Sequence, residues 1–491
     1  MKKALKRITA CVLFAAIAVG TLYCLNWLFK LKATDGCYPA QMFYTQEENT
    51  IDVLCLGSSH TYSNINPAVL WDEYGMASYD FAGSNQPLWN TYYYFKEALK
   101  YQKPELVVLD VYRAVEYLDY QDDARVAMNT FGIQYSEDWK EALEVSLEEE
   151  DSYLDYLLRY PVYHSRYQEF KKQDFLPYNG DYNQDNYKGF NLNCISTTYY
   201  ESFPDVSGVL DVGVMTEKTE EYLLKIIELA EEEDIPLLLV SAPYMGITVE
   251  DKMIYNQIEL IAEEYGVHFI DFNEYYNEIG FDPATDFAES SHLNYYGSEK
   301  YTRFLGRYIS DNYEVTDRRG DEKYASWDAN SEFYRKHAEN VDLKKTAVLE
   351  EYFEKLFKNA DRYTICVSTK GQYADDKDNM ITLLNKYGMD AHEECVWVFE
   401  GGELVYTLPA TIDEDSFFYE DMGKDSLTVM TEMRYSKMIE EYYPFLGIYI
   451  EGIGCDAAAN GVNIIVYDNE LQTIVDNVGL DATTAYSFLR Y

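Results

Sequence analysis

A serine, a histidine and a carboxylate, carried on two segments far apart in the chain, have the types and local context for covalent chemistry. Gly57-Ser58-Ser59-His60 closes a short apolar run, IDVLCLG (51–57), and Thr61 and Tyr62 follow at once. A serine at a sharp turn from strand into helix has its hydroxyl lifted off the sheet and its own N–H facing the same space. It can therefore attack a carbonyl and help hold the oxyanion that forms. Such a serine needs a base, and the chain has six histidines, at 60, 164, 268, 292, 337 and 392. His292 lies in ATDFAESSHLNYYGSEKYT, after the last apolar run of the same region and before its final amphipathic segment. Glu289, three residues earlier, can accept the ring N–H and fix the tautomer; Asp286 is the reserve acid. The order serine, acid, histidine, with acid and histidine on one loop, recurs among serine hydrolases. The same residues also have plainer readings: Ser58 and Ser59 as caps of the following helix, His60 as an exposed turn histidine or a substrate-facing group, and His268 as a structural residue of VHFIDF.

The elements that must position these groups are short β-branched or Leu-rich runs, IDVLCLG (51–57), ELVVLDV (105–111), IPLLLVSAP (235–243) and VHFIDF (267–272). Runs of this kind are buried in parallel sheets. Between them stand helix-like stretches such as TEEYLLKIIELAEEED (219–234) and MIYNQIELIAEEYG (253–266). Alternation of strand and helix predicts an α/β fold with a doubly wound, mostly parallel sheet, whose ligands bind outside the carboxyl ends of the strands. A Tyr-dense, charged stretch at about 115–215 interrupts the rhythm and reads as a mostly helical insertion over that edge. Its tyrosines serve as amphipathic packing residues or as stacking surfaces for sugar rings. The polar run EVTDRRGDEKYASWDANSE (314–332) reads as a linker within residues 313–340. A second, smaller α/β or α+β domain follows over 341–491, with a helix near 344–359, a strand at 362–368, a helix near 378–388, a hairpin at 396–408 and strands at 446–452 and 461–478.

Composition bounds the partners. The 491 residues carry 40 Lys and Arg against 86 Asp and Glu, a formal net charge of −46, with 47% hydrophobic and 16% aromatic residues. That hydrophobic content is a folded protein's. Nucleic acid is excluded as a partner, because phosphate binding needs basic faces and this surface repels the polymer. Residues 1–32 stand apart: six bases, no acid, and an uncharged run from Ala10 to Phe29. As a helix at ~1.5 Å per residue that run covers the ~30 Å hydrocarbon core. The bases before it outnumber those after it, which predicts a cytoplasmic stub, a transmembrane signal anchor and an extracytoplasmic body at the cell membrane. A cleaved signal peptide ending near FAAIAVG is the rival, although the apolar run continues past it. Bulky Tyr23 disfavours lipid attachment at Cys24. The eight cysteines show no CxxC pair, so no zinc or dithiol site is indicated. Cys366, Cys395 and Cys455 share one region and can include a disulfide in an oxidising compartment, but no pairing is assigned.

The Gly-Ser-Ser block at the end of the first strand, together with the Glu-x-x-His-Leu-Asn block before the last helix, resembles the SGNH/GDSL hydrolase superfamily. The likeness covers about residues 48–312 and is nearest to the membrane-anchored, outward-facing branch typified by DltD and the alginate O-acetyltransferases. It implies Ser59 as nucleophile, His292 as base, and Glu289 where the family usually has Asp. It further implies an oxyanion hole made by the Ser59 and Gly83 amides, with Asn85 of FAGSNQP standing in for the asparagine of an unmatched Gly-x-Asn-Asp block. The strand that should lead to that block reads ELVVLDVYRA, leaving Asp110 and Tyr112 near the site without an assigned role. Segments DRYTICVSTKGQ, VWVFEGGELVY and GVNIIVYDNELQTIVDNVGLDA resemble the interleukin-like EMT inducer (ILEI) domain, which implies glycan binding. The reading that follows is a tethered serine esterase or O-acyltransferase acting on a cell-surface polysaccharide, needing no metal or diffusible cofactor and with a membrane acyl-transfer partner if it transfers. The alternative is a non-catalytic surface protein that binds a glycan or a partner on the same scaffold.

Overall fold

The structure, a computed structural model, describes residues 2–29, 37–148, 187–193, 200–370 and 377–490 apart from 413, 439, 456–459 and 485. It also describes 153, 156, 164–168, 170 and 175. Two compact units divide the chain, Met1–Tyr334 and Arg335–Tyr491.

Unit 1 begins with helix α1 (Lys2–Phe29). An 18-residue window within Lys3–Phe29 has a mean hydropathy of 2.3 and none of its residues is buried, so the helix is long and apolar enough to cross a membrane or to serve as a signal sequence. After α2 (Cys37–Phe43), five strands form one sheet: β1 (Val53–Gly57), β2 (Ser78–Ala82), β3 (Leu106–Asp110), β4 (Leu237–Ser241) and β5 (His268–Asp271). Their order is β2-β1-β3-β4-β5 and every pairing is parallel. All five therefore present their carboxyl ends at one edge.

Side-chain alternation along each strand builds a core on both faces. Leu54, Leu56, Val107, Leu109 and Leu239 join one apolar cluster with α5 (Leu88–Leu99), α8 (Glu217–Glu232) and α9 (Val249–Tyr265), through Tyr94, Ile226 and Ile258. Val53, Cys55, Val108, Leu238 and Val240 join the other, with Leu70 of α4 (Pro67–Tyr74) and Leu305 of α11 (Tyr295–Asn312). This is the doubly wound α/β sheet that the alternation predicted. Strand β2 is an addition. SYDFA carries Ser78 and Asp80 and so lacks an apolar run, yet all five residues are buried, and Asp80 stands in register with Cys55. Burial holds the Asp80 carboxyl well above its usual pKa, with the Cys55 side chain opposing, so it enters the core uncharged.

Two expectations change. The 115–215 stretch is helical at its start, in α6 (Asp123–Thr130) and α7 (Glu137–Ser146), whereas the described residues 187–193 and 200–215 form no long helix. They reach the carboxyl edge all the same: Asn191 N–H donates to Tyr62 O and Tyr295 N–H to Asn193 O. Most of 150–170 lies outside the described residues. The run 314–332 is docked on unit 1 rather than strung out as a linker. Arg318 grips Asp52 with two bonds of 2.9 and 3.0 Å and Glu105 with a third of 2.9 Å. Trp327, 1% exposed, donates to Ser78 O. Its charges read as solvated because their partners lie more than 200 residues away in the chain.

Unit 2 is α+β and antiparallel. A six-stranded sheet has the order β15-β14-β13-β6-β7-β8, and a four-stranded one the order β12-β11-β10-β9. The first holds β6 (Tyr363–Lys370), β7 (Glu394–Glu400), β8 (Glu403–Pro409), β13 (Gly461–Asp468), β14 (Thr473–Asp481) and β15 (Ser487–Arg490); the second holds β9 (Ser416–Asp421), β10 (Ser426–Ser436), β11 (Glu441–Ile450) and β12 (Ile453–Gly454). Cys366, Cys395 and Cys455 lie in one buried apolar cluster. The division between the units falls within helix α12 (Ala325–Lys345), the twelfth described helix in chain order.

Candidate active site

β1 enters the edge at Gly57, whose φ of +142° is open to glycine and strained for other residues. A Cβ there would lie 2.4 Å from Thr61 Oγ1 and 2.9 Å from the Asp110 carbonyl oxygen. The glycine thus lets the chain turn between β1 and β3 straight into α3 (Ser59–Asn64). Ser58 O accepts the N–H of Thr61 and of Tyr62, and Thr61 Oγ1 ties back to Leu56 O at 3.0 Å. The Ser58 side chain makes no cap bond, so the capping reading fails for it.

The partner loop is a small hairpin. Phe287 and Leu293 form an antiparallel bridge, Ala288 N–H donates to His292 O, and Asn294 N–H to Asp286 O. Asn294 then caps α11 through its side chain, which accepts from Tyr296 and Gly297 N–H. From the end of α3, Asn64 Oδ1 receives Leu293 N–H at 3.1 Å; from the turn after β4, Gly246 N–H donates to Ser290 O at 2.7 Å. The hairpin is therefore pinned from two sides of the edge.

These two loops converge. His292 Nε2 lies 2.9 Å from Ser59 Oγ across a separation of 233 residues. His292 Nδ1 is hydrogen-bonded to Glu289 Oε1. Glu289 Oε2 accepts Ser291 N–H at 2.7 Å. Partial burial raises the Glu289 pKa, but the bonds from His292 and Ser291 outweigh it and hold the carboxyl below its usual value, ionised. Nδ1 thus carries the proton and Nε2 faces the serine as acceptor. Asp286 is not part of this chain. It is 1% exposed and turned to the hairpin's base, where Oδ2 receives Lys300 Nζ at 2.6 Å and Asp282 N–H at 2.7 Å, while Oδ1 receives the Thr285 hydroxyl.

Around the pair stand groups that the sequence left without roles. His60 is fully buried, contrary to the exposed turn residue expected. Its ring stacks on Tyr112 at 3.5 Å and lies 5.3 Å from the rings of both Tyr244 and His292. Among the described residues neither of its nitrogens has a hydrogen-bond partner. Burial, with His292 and Arg113 nearby, pushes its pKa well down and keeps it neutral. Asp110 is buried at the end of β3, accepting Tyr112 N–H at 3.1 Å and Ala242 N–H at 3.0 Å. Burial raises its pKa to about 7 against those two bonds and the nearby His292. His268, at the amino end of β5, is hydrogen-bonded to the Tyr313 hydroxyl and takes no part in the site.

Gly83 and Asn85 leave the end of β2, the strand beside β1. A Cβ on Gly83 would meet the side-chain ends of Asn129 and Gln86, which a larger residue would have to displace. Asn85 has φ +49°, and its side-chain oxygen accepts from Arg113 Nη1 at 3.1 Å. Arg113, just past the strand ELVVLD, went unassigned in the sequence. Its position at the exit of a buried strand was the available signal. Among the described residues no group of three or more His, Cys, Asp or Glu gathers as a metal site.

No family model matches the chain, and no curated protein matches it in sequence. Among solved structures it is similar to a lipolytic protein of the G-D-S-L family from Desulfitobacterium hafniense, at 13% identity and a TM-score of 0.27, over 52% of this chain and 98% of that one. It is also similar to a gut microbial diltiazem-metabolizing enzyme, at 9% identity and a TM-score of 0.28, over 79% of this chain and 57% of that one. Likeness at this level carries no argument about activity, which rests instead on the arrangement of Ser59, His292 and Glu289.

Proposed function

We propose that the chain is a serine esterase or O-acyltransferase that works through Ser59, His292 and Glu289, tethered by α1 and acting outside the cytoplasm on an acylated cell-surface polysaccharide. The observation that carries this reading is the unbroken chain of hydrogen bonds from Ser59 Oγ to His292 and on to Glu289. His292 Nε2 removes the Ser59 proton as Oγ attacks an ester carbonyl, and the ionised Glu289 stabilises the imidazolium. The Ser59 and Gly83 amides and Asn85 hold the tetrahedral oxyanion. Its collapse breaks the ester C–O bond, His292 returns the proton to the leaving alkoxide, and an acyl-serine remains. Water as second nucleophile, deprotonated by His292, gives an esterase; a sugar hydroxyl gives a transferase. The anchor and the acidic surface favour a neutral glycan over a polyanion, because a polyanion meets repulsion from the net charge.

The test uses the full chain in detergent micelles, a fluorophosphonate probe and p-nitrophenyl acetate. Wild type labels and turns over the ester; Ser59→Ala does neither. His292→Ala lowers kcat by about 10⁴-fold while the circular dichroism spectrum is kept. Absence of labelling in a folded wild type favours the second reading, a non-catalytic glycan- or partner-binding scaffold. The observation on its side is that β3 runs into Asp110-Val111-Tyr112-Arg113 instead of a Gly-x-Asn-Asp block.

A further inference from the structure

We infer that Arg113 is a positioning residue that fixes the polarity of the Asn85 amide, turning Asn85 into a donor over Ser59. The inference rests on the proposed role of Ser59.

The argument begins with strand order. β1 lies between β2 and β3, and all three run parallel, so their exits stand side by side on one edge. Asn85 follows β2 and Arg113 follows β3. Their hydrogen bond, 3.1 Å from Nη1 to Oδ1, therefore spans the exit of β1, where Ser59 and His60 begin α3.

Chemistry then settles the orientation of the amide. A guanidinium has only donors, so the atom of Asn85 that faces it must be the oxygen, and the NH₂ group points away from Arg113. The backbone is held as well: Gln121 Nε2 donates to Asn85 O at 2.5 Å, and the φ of +49° is one that Asn tolerates better than most residues. Arg113 is itself held. It is 7% exposed, forms an ion pair with Glu116, and keeps its charge at neutral pH, with a pKa lowered by burial to about 10. Its Nε has no partner. Side chains converging from the exits of the two strands that flank β1 thus supply the donor that the unmatched block after β3 does not.

The decisive variant is Asn85→Asp. It preserves the contact with Arg113, now as an ion pair, and removes the NH₂ donor, so the protein folds. With p-nitrophenyl acetate and the full chain, kcat falls by about 10²-fold and KM stays within about threefold, as for loss of one oxyanion donor. Arg113→Ala lowers kcat by about 10-fold or more, and in an Asn85→Ala background it lowers it by no more than about twofold, since it acts through Asn85. Arg113→Lys, which keeps one donor, recovers most of the activity and covers the case in which the alanine variant is unstable. The inference is overturned if Asn85→Asp keeps wild-type kcat, or if the Arg113 and Asn85 effects multiply independently. Either result with Ser59→Ala inactive leaves the nucleophile in place, whereas full turnover by Ser59→Ala removes both readings.

Discussion

In unit 2, buried charge is matched to buried charge. Arg362 forms an ion pair with Asp468, bonds Asn340 Oδ1 at 2.7 Å and reaches Glu339 at 2.8 Å. Asp468 is further satisfied by Asn340 Nδ2 and the N–H groups of Glu470 and Leu471. At the carboxyl edge of unit 1 the neighbourhood differs: among the described residues His60 leaves both nitrogens unpaired, and Ser58 Oγ, Gln86 Oε1, Asn129 Oδ1 and Arg113 Nε are buried without hydrogen-bond partners. An unsatisfied buried polar group costs ~1–3 kcal/mol, so a fold keeps a concentration of them only where something else needs the bonding capacity. Paired charges hold Arg362 and Asp468 in unit 2; the unpaired groups near Ser59 leave bonding capacity that the proposed reading assigns to a substrate.

The comparison breaks first in unit 2. Arg362→Met leaves Asp468 as an uncompensated buried charge and destabilises unit 2 by about 3–5 kcal/mol. Calorimetry of the full chain should show that loss, while p-nitrophenyl acetate turnover at 20 °C stays at the wild-type level. A parallel fall in kcat would merge the two units functionally and end the contrast.

The two acids of the His292 hairpin sharpen it next. Glu289→Gln removes the ionised partner of the imidazole and lowers kcat by about 10²–10³-fold at little cost in stability. Asp286→Asn loosens the clamp on Lys300 and Asp282 N–H, costing about 1–3 kcal/mol in denaturant unfolding and less than about 10-fold in kcat. An interchange of those two patterns would make Asp286 the acid of the triad.

The smallest effect is in pH. The folded-state pKa of Glu289 lies below its unfolded value, so its stabilising contribution is present above about pH 4.3 and is lost as pH falls through the folded value. Denaturant titrations should show Glu289→Gln less stable than wild type at pH 7, by under about 1 kcal/mol because the group is half exposed, with the gap closing as pH falls through the folded-state value. A gap that widens on acidification contradicts the ionised carboxylate.

Four of the five strands of the unit 1 sheet were legible because each is a continuous apolar run, whereas β2 was hidden by Asp80, a carboxyl that enters the core by giving up its charge. In unit 2, β9 and β10 escaped because neither is buried on both faces and their polar residues break the run. The 314–332 run was misread because local composition shows charges but not the partners, Asp52 and Glu105, that fold against them. Ser59 and His292 stood out through scarcity, since six histidines leave few bases to consider. Glu289 could not be separated from Asp286 by spacing alone, and the Phe287–Leu293 bridge is what turns one to the imidazole and the other to Lys300. Arg113 gave only its position past a buried strand as a sign, and His60 read as exposed because a turn residue usually is.

The sequence by itself determined the alternation of strand and helix, the long apolar helix at the start, the acidic surface and the residue types able to do acyl chemistry, because periodicity, charge and side-chain identity are local properties. Only the tertiary structure decided that loops 233 residues apart meet within 2.9 Å, which carboxylate faces the imidazole, and that Arg113 reaches across β1 to Asn85. Those depend on strand order and on which buried groups find partners, and both are set when the sheet assembles from distant segments.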